Sequence, residues 1–111
     1  MDILDRIDNY LNEGNIEIDE LVNFITDDKD LYEKRVVPIL KNLKKKLDKG
    51  SYDHTLAIKA WKPLADDGAK LYGKRFGSGE REGFVMFTAS DRNAVAKELQ
   101  NYYDEELRYN G

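Results

Sequence analysis

The chain has 111 residues, of which 41% are hydrophobic, 11% aromatic and 36% charged, with a formal net charge of −4. That length fits a single domain spanning residues 1–111, and the apolar share is enough for one compact core. No cysteine is present, so the sequence offers no disulfide framework, thiolate nucleophile or cysteine-bound zinc.

Apolar residues recur at helical spacing through most of the chain, which predicts an all-α compact bundle of about five helices. In the first segment Ile3, Leu4, Ile7, Tyr10 and Leu11 share a face, and Glu13-Gly14-Asn15 ends it. Residues 16–27 follow closely, with Ile18, Leu21, Val22 and Ile25 on one side, as in a helical hairpin. The opening MDILDRIDNY has no basic stretch leading into an apolar one, so it does not read as a signal peptide.

The third helix is predicted over about 30–49, capped by Asp30, with a stripe of Tyr32, Val36, Ile39, Leu40, Leu43 and Leu47. Pro38 lies inside it and removes a backbone donor, so a kink or a junction of two pieces is expected there. Gly50 is placed to end this helix. Ser51 or Asp53 can cap the fourth, which runs to about Phe76 with Ala57, Trp61, Leu64, Ala65, Leu71, Tyr72 and Phe76 on its apolar side. Pro63 predicts a second kink, between Ala60 and Leu64.

Residues 77–87 read as one Gly-rich loop, whose end, Phe84–Phe87, suggests an extended segment without a partner strand. Thr88 and Asp91 resemble a capping box for the last helix, which is expected to bury Ala94, Val95, Leu99, Tyr102, Tyr103 and Leu107. The longest apolar run, Val36–Leu40, is far short of the ~20 residues of a membrane span. A soluble cytoplasmic protein without membrane association is expected.

The modest net charge hides a steep pattern. Residues 1–32 carry a net −8, residues 33–81 a net +7 and residues 82–111 a net −3. Within the basic centre, Lys41 and Lys45 lie on one helical strip with Lys49, while Lys74, Arg75 and Arg81 surround the Gly77-Ser78-Gly79 turn. These five residues, Lys41, Lys45, Lys74, Arg75 and Arg81, are the candidate contacts to a partner or to phosphate groups. The turn lacks the spacing of a Walker A loop, and the lysine strip fits a solvated helix face equally well. A domain of ~110 residues is expected to be only ~26 Å across, so the acidic ends stay close to the basic centre and weaken nucleic-acid binding.

No constellation for catalysis stands out. His54 is the only histidine, and Ser51, Asp53 and His54 are too close in sequence for triad geometry. The paired carboxylates Asp27-Asp28-Asp30, Asp66-Asp67 and Asp104-Glu105-Glu106 match no calcium-loop spacing. The sequence therefore predicts no enzyme activity, no metal site and no cofactor.

The stretch Tyr52-Asp53, Leu56-Ala57, Lys59 and Trp61, followed by Ala69-Lys70, Tyr72 and Phe76-Gly77, has the form Y-D-x-x-L-A-x-K-x-W/F, A-K-x-Y and F-G. With Phe87-Thr88-Ala89-Ser90-Asp91-Arg92 opening a helical tail, it resembles small proteins of unknown function encoded by tailed phages and prophages. The resemblance covers residues 50–107. It implies a phage accessory product in the host cytoplasm and brings no catalytic residue with it. The expected function is non-enzymatic binding to a host or phage protein, such as would modulate a host protein; the alternative is nucleic-acid binding through residues 33–81.

Overall fold

A computed structural model describes the backbone of residues 16–109 and the side chains of residues 17–107. The helix expected around Ile3–Leu11 lies outside the described residues. Everything regular within them is helical, with no strand.

Helix α1 (Ile16–Asp27) buries Ile18, Leu21, Val22 and Ile25, the face its spacing predicts. Asp28 then stops α1 and starts α2. Its carboxylate accepts the Leu31 N–H at 2.9 Å, so the cap is Asp28 and not Asp30.

Helix α2 covers residues 29–48 in three parts: α-helical Lys29–Leu31, a π-helical turn Tyr32–Val36 and α-helical Val37–Asp48. The disturbance expected at Pro38 takes this form. Pro38 cannot donate to the Lys34 carbonyl, and in a regular helix its ring would press on that oxygen. Widening the preceding turn by one residue relieves the clash, with Val37 N–H bonding to the Tyr32 carbonyl, and Pro38 then sits near the start of a fresh α-helical run, where proline is favoured. At the far end Gly50 adopts φ +74°. The N–H groups of Gly50 and Ser51 satisfy the carbonyls of Leu47 and Lys46 at 3.1 and 2.9 Å, a reversal that favours glycine.

Helix α3 (His54–Phe76) is the spine. Asp53 caps it by accepting the Thr55 N–H at 2.9 Å. It runs without a break through Pro63. Pro63 and Lys59, whose carbonyl loses its donor, both lie on the exposed side, so water can serve that oxygen. At 1.5 Å per residue its 23 residues span about 34 Å, more than the whole diameter expected from chain length.

The inner side of α3 carries the large residues Trp61, Leu64 and Tyr72 and, among them, the small residues Ala57, Ala65, Gly68, Ala69 and Gly73. The small residues let two neighbours approach. A methyl on Gly68 would strike the side chain of Ile25 from α1. A methyl on Gly73 would strike the backbone of Gly79 and Gly83.

That second approach overturns the reading of residues 77–87 as a loop. Only 77–79 and Phe87 are non-helical; Glu80–Met86 forms helix α4, packed back along α3. The packing depends on Gly83, where any Cβ would run into the Ala69 carbonyl. Phe84–Phe87 is therefore not an extended segment. Phe84 lies under the Arg92 guanidinium at 3.9 Å, and Phe87 is buried edge-on against Tyr72.

Helix α5 (Ala89–Tyr109) opens with the predicted capping box: Thr88 N–H donates to Asp91 and Asp91 N–H to Thr88 Oγ1, at 3.0 and 3.3 Å. Val95, Leu99, Tyr103 and Leu107 are buried as expected, but Tyr102 is 60% exposed, and Phe76 on α3 is 65% exposed. Gln100 is fully buried instead. Its amide oxygen accepts the Trp61 indole N–H at 2.8 Å, and its nitrogen donates to the Tyr52 hydroxyl. Trp61 stacks on Tyr103, centroids 5.2 Å apart.

Two tyrosines give the fold an alkaline limit. Burial raises the Tyr103 pKa, with the charges of Tyr102, Glu106, Tyr32 and Asp27 adding to it. Burial also raises that of Tyr72, helped by a hydrogen bond with Glu20 and by its charge. Both stay protonated in the folded chain at a pH where unfolded tyrosines, with pKa about 10, have ionised. The folded state then binds more protons, so stability is intact below pH ~10 and falls as pH rises above it. Thermal melts between about pH 8 and 11 should show this decline, and Tyr103→Phe should flatten it; an identical decline in Tyr103→Phe would assign it to other groups.

Candidate docking surface

Arginines and lysines near α3 are mostly neutralised within the molecule. Arg92 donates from Nε to Asp66 at 2.8 Å and from Nη1 to the Phe87 carbonyl at 2.7 Å. Lys62 pairs with Asp66 at 3.2 Å and Arg35 with Asp67 at 2.5 Å. Asp66 and Asp67, both within the basic centre of the sequence, thus hold three cations, two of them from that same centre.

The five candidate contact residues divide accordingly. Arg75 reaches Asp28 at 3.3 Å and covers the Phe24 ring at 5.3 Å. Lys74 faces Glu80 at 3.9 Å. Arg81 is exposed on α4, and Lys41 and Lys45 are exposed on α2, without an ion pair among the described residues. Lys41 and Lys45 lie on the half of α2 that leads into the start of α3, whereas Lys74, Arg75 and Arg81 gather at the other end of that ~34 Å helix. The structure does not bring the five onto one surface.

The other polar candidates are occupied locally. Ser51 donates to the Lys46 carbonyl at 3.4 Å, Asp53 caps α3, and His54 is an exposed first-turn residue. Asp28 is both cap and ion-pair partner. Among the described residues no group of three or more His, Cys, Asp or Glu is placed to hold a metal ion.

A concavity runs between α1 and α5, helices far apart in sequence. One part, of about 480 Å³, is lined by Asp19, Val22 and Asn23 from α1 and by Glu98, Asn101 and Tyr102 from α5. A second part, of about 400 Å³, is lined by Ile18, Asp19, Ala94, Lys97 and Glu98. Asp19 and Glu98 belong to both, so the two parts form one groove, floored by Ile18 and Val22 and rimmed by Tyr102. Sequence reading assigned Tyr102 to the core. The signal that corrects it is Gln100, a polar residue on the inner stripe whose position turns Tyr102 outward.

The chain matches no known protein family model, no characterised protein and no solved structure. Tyr52, Asp53, Ala57, Trp61, Ala69, Tyr72, Gly77, Phe87, Thr88, Asp91 and Arg92, from the run that resembles phage proteins, serve here as core, cap or ion-pair residues.

Proposed function

We propose that the protein is a non-enzymatic, phage-type accessory factor that acts in the host cytoplasm by binding another protein, of host or phage origin. The observation that carries this reading is the α1–α5 groove, an open concavity with an apolar floor and a rim aromatic that is 60% exposed. Exposed tyrosine is among the side chains that protein contact surfaces favour. No helix among the described residues is long and apolar enough to cross a membrane. Placing a photo-cross-linking residue at position 102 in the full chain, and separately at Lys45, tests the reading in cells. A discrete protein adduct is expected at 102. Absence of any protein adduct at either position would sink the protein-binding reading.

Nucleic-acid binding is the second reading, favoured by the exposed strip of Lys41 and Lys45 on α2. It is weakened by the ion pairs that engage Lys74 and Arg75. If these residues and Arg81 met phosphates, affinity would fall with salt at about −0.9 per contact on duplex DNA and about −0.7 on single strands. We expect no appreciable binding of either form near physiological salt in an anisotropy titration. Tight, salt-sensitive binding would put this reading first.

A further inference from the structure

We infer that the α1–α5 groove receives a helix of the partner protein that carries Lys or Arg side chains, a specification that rests on the protein-binding reading above. Its basis is that two carboxylates lining one groove have no ion pair among the described residues. Asp28, Asp66, Asp67 and Glu80 each hold a cation of the same chain. Asp19 and Glu98, the two carboxylates common to both halves of the groove, pair with none among the described residues. Helix α1 contains four acidic residues and no basic one, so the surrounding field is negative. Phosphate-bearing ligands are disfavoured in such a field, and cationic side chains are drawn in.

The groove offers more than charge. Ile18 and Val22 can take the apolar stem of a lysine or arginine, and the exposed Tyr102 ring can take the cationic head on its face. Asn23 and Asn101 add amide donors and acceptors. Lys97 lines only the half away from Tyr102, so an incoming cation is favoured at the Tyr102 end and the groove reads direction. A second copy of this chain could offer its own lysine strip on α2. That contact is head-to-tail, and copies joined in this way build rings or open chains, which sedimentation detects. The occupant inferred is a different protein, whose Lys or Arg side chains complement Asp19 and Glu98.

The test titrates the full-length protein, isotopically labelled, with a synthetic Lys/Leu amphipathic helical peptide and with its Glu/Leu counterpart at physiological salt. Expected are saturable shifts centred on Asp19, Val22, Asn23, Glu98, Asn101 and Tyr102, with a Kd tighter than about 1 mM for the Lys peptide alone. Asp19→Lys/Glu98→Lys should weaken binding by about tenfold or more with the melting temperature unchanged, since both side chains are exposed. Tyr102→Ala should weaken it by about two- to fivefold. Failure of the Lys peptide to saturate, equal binding of the Glu peptide, or shifts centred elsewhere would overturn the inference. So would self-association in sedimentation that the charge-reversed variant abolishes, since the occupant would then be a second copy. The cross-linking experiment separates the two proposals: an adduct at Lys45 but not at 102 keeps protein binding and rejects the groove as its site.

Discussion

Gly83→Ala is expected to be the most damaging single-methyl change in the chain, lowering stability by about 3 kcal/mol or more. The new Cβ would overlap the Ala69 carbonyl oxygen, and α3 backbone lies directly behind it. A flexible side chain could swing aside; a helix carbonyl cannot without breaking the bond it accepts. Relief must come from α4 lifting off α3, which would expose Phe87 and separate Phe84 from Arg92. In a domain of this size such a loss corresponds to a melting temperature lower by roughly 10–20 °C. Gly50→Ala provides the contrast. Nothing lies within 4 Å of a Cβ there, and only the positive φ is at stake, so a cost near 1 kcal/mol is expected. Equal melting temperatures for the two variants would show that the α3–α4 approach is not tight.

Trp61→Ala should cost about 3–5 kcal/mol, a large part of the ~5–15 kcal/mol that holds a domain folded. The residue is fully buried, stacks on Tyr103 and satisfies Gln100. Removing it leaves a cavity and a buried amide oxygen without a donor. The two effects separate experimentally. Trp61→Phe keeps part of the packing and removes the N–H together with the rest of the five-membered ring, so about 1–3 kcal/mol from the unsatisfied Gln100 is expected on top of a smaller cavity cost. Trp61→Phe combined with Gln100→Leu should recover part of that loss. A double variant no more stable than Trp61→Phe, judged by chemical denaturation, would show that the hydrogen bond contributes nothing beyond ring packing.

The helices that declare themselves in the sequence are those whose apolar residues keep a steady period. The stripe of Ile18, Leu21, Val22 and Ile25 and the caps at Asp53 and Thr88 are local signals, and they survive in the structure. Helix α4 is different. Glu80–Met86 is short, contains a central glycine and ends in a run of apolar residues without helical period. Its helicity comes from docking on Ala69 and Gly73, a tertiary fact that no window of residues contains. The small residues Ala69 and Gly73, four apart on α3, were the available hint that something approaches closely there. The candidate cations were legible as exposed charges, but the neutralising partners of Lys74 and Arg75 depend on how elements meet. The groove was not legible at all, because Asp19 and Glu98 are brought together only by the packing of α1 on α5.

The π-helical turn at Tyr32–Val36 sets the heading of everything after it in α2. One residue more in a turn shifts the phase of the following helix by about 100° relative to an unbroken one. With that offset, Val36, Leu40 and Leu43 point into the core and Lys41, Lys45 and Lys49 point to solvent. Pro38 acts in this sense as a gear tooth between the two halves of α2. The direction in which the lysine row faces is fixed upstream, by a ring that cannot share space with a carbonyl, and not by the lysines themselves.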